Sequence, residues 1–311
     1  MAEKINSNLV LLNSPLTDEQ LYFISVLLFG WFIDIFNCLL TNHEFRVFLG
    51  VVVKVAILFA AGTNCDSETA YAFELAGAKV DLVHINQVKT KRKSLANYAI
   101  LAIPGGFTYG DYIAAGRILA AELKFGLSED IEKFIRDDKL IIGICNGFQV
   151  LVKAGILPGN DGYFKDQTVT LDANDSNRYE DRWVYLKNVK GNRCLFTNGI
   201  EALLYMPVAH AEGKFIPKNE KILKQIKANG QVVLTYVDEQ GRKAGYPYNP
   251  NGSIENIAGI CDPTGRIFGL MPHPERFLQA NFHPHWHRQA SVEPQGRFIY
   301  QNAVNYVRKN L

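Results

Sequence analysis

Two short segments of this chain carry side chains that could do covalent chemistry together. The first is Gly143-Ile144-Cys145-Asn146-Gly147-Phe148-Gln149, a thiol framed by glycines two residues to either side. Such a frame is the thiol counterpart of a nucleophile elbow: the reactive side chain sits on a sharp strand-to-helix turn, and small flanking residues let strand and helix pass closely. At a helix start, the dipole and unpaired N–H groups stabilise a thiolate, and the N–H of Asn146 would face a developing oxyanion. A buried structural cysteine beside helix-packing glycines fits the same residues equally well, so a base has to decide. The second segment, Met271-Pro272-His273-Pro274-Glu275-Arg276, supplies one. The prolines resist helix and favour an extended His273. Side chains two apart in an extended chain point the same way, so Glu275 can hold one ring nitrogen and leave the other to take the thiol proton.

A third segment, Pro104-Gly105-Gly106-Phe107-Thr108-Tyr109-Gly110-Asp111, reads either as a plain tight turn or as the other half of an oxyanion hole. Adjacent glycines let backbone N–H groups come close to a ligand. His210 has Glu212 two residues away but lacks the proline setting of His273, and no catalytic role is assigned to it. His283, His285 and His287 alternate and in an extended chain would share a face, a passable zinc arrangement. No cysteine or carboxylate lies close in sequence to complete that set, so no metal site is expected there. Neither G-x-x-x-x-G-K-[ST] nor G-x-G-x-x-G occurs, so a familiar phosphate-cradling loop is missing.

These motifs need elements to hold them. Lys54–Ala60, Ala99–Ile103 and Leu140–Ile144 are continuous apolar runs, as expected of strands buried on both faces of a parallel sheet, and Lys79–Ile85 alternates. Helical patterns at Thr69–Ala76 and Asp130–Arg136 separate them, and Arg182–Lys187, Gln231–Val237 and Gly265–Met271 read as further strands. The expected class is α/β: an open, largely parallel sheet with helices on both faces, flavodoxin-like, its ligand lying outside the carboxyl ends of the strands. All three motifs follow such strands.

The 311 residues carry 33 basic and 31 acidic side chains, a net charge of +2, which leaves no basic excess for holding nucleic acid. At 48% apolar residues the chain as a whole is not disordered. The cysteines, Cys38, Cys65, Cys145, Cys194 and Cys261, are odd in number, widely spaced and free of any C-x-x-C, so reduced thiols in a cytoplasmic protein are expected. Residues 1–52 stand apart. Leu21–Leu40 has the length of a membrane helix and one charge, Asp34, and the flanking charges give it no orientation. A membrane anchor, a helical extension packed on the body and sequence upstream of the true start all compete. No Met occurs between Met1 and Met206, and a valine start near Val51–Val53 is the favoured expectation. Residues 53–311 are expected to form one catalytic domain, with 1–52 outside its fold and no membrane partner.

Together, G-I-C-N-G-F-Q, P-G-G-F-T-Y-G-D-Y and M-P-H-P-E-R, each after its own strand, resemble the class I (triad) glutamine amidotransferases. The asparagine after the cysteine, the F-T-Y-G-D-Y loop and Y-N-P-N-G-S at Tyr248–Ser253 are similar to the glutaminase subunits of phosphoribosylformylglycinamidine synthase, of purine biosynthesis, from about Val53 to Leu311. The resemblance implies Cys145 as nucleophile, His273 as general base and acid, and Glu275 as the group orienting His273. It implies backbone oxyanion donors at Gly106 and Asn146, and contacts to L-glutamine from Gln149, Asn177 and Arg178. It further implies no cofactor in this chain, with ATP and Mg used by a large synthetase subunit, and a small accessory subunit in the same complex. Another triad-type amidotransferase, a γ-glutamyl hydrolase, a cysteine peptidase and a catalytically silent interaction subunit are the competing readings; the tight H-P-E argues against peptidases whose acid lies elsewhere, and the complete triad disfavours the last.

Overall fold

A computed structural model describes residues 52–201, 203–288 and 291–311; Leu21–Leu40, Cys38 and the rest of 1–51 lie outside the described residues. The first described strand, β1 (Lys54–Phe59), is followed by α1 (Asp66–Leu75), β2 (Lys79–His84), the short α2 (Ile85–Lys89) and β3 (Ile100–Ile103). Then come α3 (Arg117–Gly126), α4 (Ser128–Arg136), β4 (Leu140–Ile144) and α5 (Asn146–Lys153). The later half runs β5 (Val169–Asp172), β6 (Glu180–Asn188), β7 (Leu204–His210), β8 (Lys214–Pro217), α6 (Glu220–Ala228), β9 (Val232–Val237), β10 (Ile257–Cys261), β11 (Ile267–Leu270) and α7 (Arg297–Asn310).

Among the described residues, nine strands form one sheet in the order β2-β1-β3-β4-β11-β10-β9-β6-β7, and β5 pairs with β8 apart from it. The expected open α/β sheet is therefore present, and its parallel part is the half from β2 to β11. Every residue of β3, β4 and β11 is buried, which is why their sequences are unbroken apolar runs: helices cover both faces. From β11 onward the pairing is antiparallel, and β6 shows partial alternation instead. Because β1, β3, β4 and β11 run parallel side by side, the loops after all four leave from the same end of the sheet. Those loops hold Cys65, Gly105–Gly106, Cys145 and His273.

Element boundaries moved where local chemistry was subtle. The helix expected from Thr69 begins at Asp66, with acidic Asp66 and Glu68 in its first turn, and the Thr69 hydroxyl donates to Cys65 O at 2.6 Å. Helix α3 starts after Gly116, whose φ of 71° closes the preceding loop with no capping side chain, so the usual start signal is missing. Strand β7 contains Pro207; it is the last strand of the sheet, where a proline is tolerated.

The glycine frame around Cys145 is steric in origin. A Cβ on Gly147 would lie 1.9 Å from Ile103 O, and one on Gly143 would lie 2.6 Å from Gly147 O. Strand β3, strand β4 and helix α5 thus approach as closely as backbones allow. Gly147→Ala is expected to lower unfolding free energy by about 3 kcal/mol, since overpacking against backbone finds no side chain to move. Urea titration checks this, and a midpoint equal to wild type would contradict the packing argument.

Candidate active site

Cys145 stands between β4 and α5 at φ 50°, ψ −104°, a left-handed conformation unusual for a residue with a side chain. Its N–H donates to Leu270 O of β11 at 2.8 Å, and its carbonyl accepts from Gln149 N–H at 3.1 Å. The thiol is 5% exposed and donates to Ala209 O at 3.6 Å.

His273 follows β11 and is anchored by its own N–H on Pro207 O at 2.8 Å. The extended geometry expected for His273–Glu275 is not what brings the two side chains together. Residues Pro274–Arg276 form a 3₁₀ turn with Pro274 at its first position, where a missing N–H does no harm. The turn still places Glu275 Oε1 2.5 Å from His273 Nδ1, both side chains being buried. Nδ1 therefore carries a proton toward the carboxylate. Nε2 is buried without a hydrogen-bond partner and is the nitrogen at which the ring gains or gives up its second proton. Burial alone would push His273 down; the Glu275 carboxylate and the Cys145 thiol outweigh it and hold the ring well above the usual histidine range.

Gly106 is held in a shape that leaves its N–H exposed to the site. Asn64 N–H donates to Gly105 O and Phe107 N–H to Gly62 O, so Thr63 and Gly106 face each other as a non-hydrogen-bonded antiparallel pair. The Gly106 N–H consequently points away from that pairing. Its φ of 144°, and the 2.7 Å separation a Cβ would have from Asn64 N, demand glycine. Asn146 N–H lies in the first turn of α5, where backbone donors lack intrahelical acceptors. The Asn146 side chain is fully engaged: it accepts from Thr108 Oγ1 at 2.7 Å and Thr108 N at 3.3 Å, and donates to Gln149 Oε1 and Asp111 Oδ1. Gln149 Nε2 in turn donates to Glu212 O at 2.6 Å. A cavity of about 40 Å³ opens at Cys145, lined by Gly106, Phe107, Asp111, Ala115, Gln149 and the Ala209–Glu212 corner. Larger clefts, of about 390 Å³ and 600 Å³, lie along Lys187–Glu201 and beside Lys227 and contain none of the motif residues.

Not every expected residue reaches this cavity. Asn177 and Arg178 are exposed and absent from its lining. Their neighbours, which the sequence did not single out, do reach the region. Tyr179 stacks on Phe107, and buried Asn174 donates to His210 O and accepts from Gly213 N–H. His210 does not use Glu212 as its acid. Its Nε2 faces Asn251 Nδ2 at 3.4 Å, and Asn251 Oδ1 is occupied by Ser253, so the amide donates and Nε2 accepts. Burial, helped by the nearby charge of His273, pushes His210 down to about 3. His283, His285 and His287 are not alternating residues of an extended chain: 3₁₀ turns occupy Ala280–Phe282 and Trp286–Arg288, and the His283 ring packs among Trp183, Tyr205 and Phe277. The one cluster of metal-ligating atoms among the described residues is instead Cys65, His273 and Glu275, within 4.8 Å of one another. Its donors are already engaged, since Cys65 Sγ accepts from Arg276 at 3.3 Å and His273 Nδ1 is bound to Glu275.

Elbow thiol, buried histidine–glutamate pair and free glycine N–H lie together at the carboxyl ends of parallel strands, on the fold of the class I glutamine amidotransferases. A profile of the CobB/CobQ-like glutamine amidotransferase domain matches residues 52–307, and the chain belongs to that family. It is similar to phosphoribosylformylglycinamidine synthase subunit PurQ of Dehalococcoides mccartyi, 49% identical over 261 residues, covering 83% of this chain and 98% of the relative. The same subunit of Methanococcus maripaludis is 43% identical over 274 residues, covering 83% and 99%. Among solved structures it is similar to a chain of PurLQS from Thermotoga maritima, with TM-score 0.64 and 30% identity over 83% of this chain and all of that one. Among the described residues no helix is long and apolar enough to cross a membrane.

The raised His273 makes stability depend on pH. A group raised in the fold contributes stability that is fully present below its unfolded value, near 6.5, and is lost as pH rises through the folded value. Glu275→Gln removes the carboxylate that holds the ring charged. It is expected to cost about 3 kcal/mol near pH 6, with a deficit that shrinks as pH rises. Urea unfolding across pH checks this; a deficit independent of pH would contradict it.

Proposed function

We propose that this chain is the glutaminase subunit of phosphoribosylformylglycinamidine synthase, releasing ammonia from L-glutamine through a Cys145 thioester. The observation that carries the reading is the thiol of Cys145 held on a strained turn beside a histidine whose Nε2 is free and whose Nδ1 is fixed by Glu275. Nε2 takes the thiol proton, and the sulfur attacks the side-chain amide carbon of glutamine. The oxyanion is met by the N–H groups of Gly106 and Asn146. His273 then gives the proton to the departing nitrogen, ammonia leaves, and a γ-glutamyl thioester remains. Water activated by the same Nε2 hydrolyses it to glutamate and restores the thiol. Glu275 keeps one tautomer throughout and offsets the imidazolium charge. Gln149, at the cavity wall, is placed to contact glutamine; Asn177 and Arg178, assigned the same role by the resemblance, lie outside the lining.

Ammonia needs an activated acceptor. We assign ATP and Mg²⁺ to a large synthetase subunit that converts formylglycinamide ribonucleotide to its amidine, with a small accessory subunit, by analogy with PurLQS. The lack of a phosphate-cradling G-x-x-x-x-G-K motif in this chain supports that division. Residues 53–311 act as the catalytic domain and 1–52 stand outside it, a boundary supported by the family match over 52–307. Buried free thiols at Cys65, Cys145, Cys194 and Cys261 suit a cytoplasmic site of action.

Cys145→Ala in the reconstituted complex is expected to abolish glutamine-dependent amidine synthesis, by at least about a thousandfold, while synthesis from added ammonium salt continues. Loss of both, or survival of both, would remove Cys145 from the role of nucleophile.

A further inference from the structure

The loop after β3 crosses the mouth of the Cys145 cavity as a strap, from Phe107 to Gly116. It is held in an improbable shape: Tyr109, Asp111 and Ile113 all have positive φ, at 56°, 50° and 78°, and the last is β-branched. Tyr112 and Ile113 at its crest are 77% and 86% exposed, so no packing at the crest compensates. Its far end is fixed by charge. Glu212 accepts from Ala115 N–H with both carboxylate oxygens at 3.2 Å, and Lys153 Nζ donates to Ala115 O at 2.5 Å. Lys153 and Glu212 also pair with each other at 3.3 Å, and the lysine side chain is 6% exposed. One ion pair therefore clamps both peptide groups of a single strap residue. Lys153 is the last residue of α5, the helix that Cys145 begins, and Glu212 lies two residues beyond His210. The cavity the strap covers, about 40 Å³, has room for about three waters and not for glutamine. Entry of glutamine requires the strap to lift, and its return closes the cavity over Cys145 and excludes water.

We propose that Lys153 and Glu212 are positioning residues for glutamine hydrolysis: their ion pair seats the 107–116 strap over bound glutamine and so closes the cavity in which Cys145 and the Gly106 N–H meet the substrate. The inference rests on the glutaminase reading above and adds two residues to it. Neither needs to touch the substrate. Their charge acts through Ala115, while Asn146, through Thr108 and Asp111, holds the rest of the strap to the same helix.

The test compares Lys153→Met, Lys153→Arg and Glu212→Gln with wild type in the complex with the synthetase subunit. Glutamine-dependent synthesis is normalised to ammonia-dependent synthesis of the same preparation. Alkylation of each cysteine by iodoacetamide is followed by peptide mass spectrometry. Loosening the strap should move the two readouts in opposite directions. In Lys153→Met and Glu212→Gln, kcat for glutamine falls at least tenfold while Cys145 alkylation accelerates severalfold and buried Cys194 and Cys261 stay unlabelled; Lys153→Arg retains most of the activity. Unchanged glutamine turnover overturns the proposal, as does slower turnover with unchanged or slower alkylation of Cys145. Labelling of Cys194 and Cys261 in both charge-removing variants also overturns it, since the pair would then be a general stabiliser. A wild-type complex that uses ammonia but not glutamine would sink the glutaminase reading instead, with the alkylation comparison still reporting on the clamp.

Discussion

The turn at Cys145 is the constraint on which the rest depends. A side-chain-bearing residue at φ 50° costs on the order of 1–3 kcal/mol, and it persists only where its surroundings over-determine it. Strand β4 is paired on both edges, by β3 and β11, and the Cys145 N–H is tied to Leu270 O. Helix α5 is pressed so closely on β3 that Gly147 has no space for a Cβ. Relaxing the turn would mean shifting a strand in the middle of the sheet or a helix that has no slack. The strain is thus held by the most buried part of the protein and expressed at its edge, where the thiol emerges.

The same sheet explains why the other groups arrive. Four parallel neighbours end together, and the loops after β1, β3, β4 and β11 deliver Cys65, Gly106, Cys145 and His273 to one place. Chemistry is then divided by charge. Two buried histidines lie close enough to influence each other, yet they are driven in opposite directions. His273, with Glu275 against Nδ1, is held well above the usual histidine range, whereas His210, facing only the neutral amide of Asn251, is held near 3. One carboxylate decides which of the two rings favours its charged form.

Much of this was legible in the residues. The continuous apolar runs at Lys54–Phe59, Ile100–Ile103 and Leu140–Ile144 mark doubly covered strands because burial on both faces removes alternation, and the glycines at 143 and 147 mark a close approach that the structure contains. Other features were hidden for physical reasons. The contact between His273 and Glu275 was anticipated through an extended chain but is made across the start of a 3₁₀ turn, where His273 is the non-helical cap residue and Glu275 lies within the turn. The three-histidine run looked like a shared face only under alternation, and its prolines and turns deny it that. Asn174, Tyr179 and the Lys153–Glu212 pair act across tens of residues of chain, where spacing carries no signal. Cys65 looked like a plain loop residue. The fold brings its sulfur within 4.8 Å of a ring nitrogen of His273, a contact across more than two hundred residues of chain.

Two thiols therefore flank His273, and only Cys145 is expected to form a covalent bond to substrate. The most direct measurement is acid quenching of the complex during glutamine turnover, followed by peptide mass spectrometry of both cysteine-bearing segments. The expected result is a γ-glutamyl adduct on the peptide containing Cys145 and an unmodified peptide containing Cys65. An adduct on Cys65, or turnover without any adduct on Cys145 under conditions that preserve thioesters, would contradict the assignment of Cys145 as nucleophile.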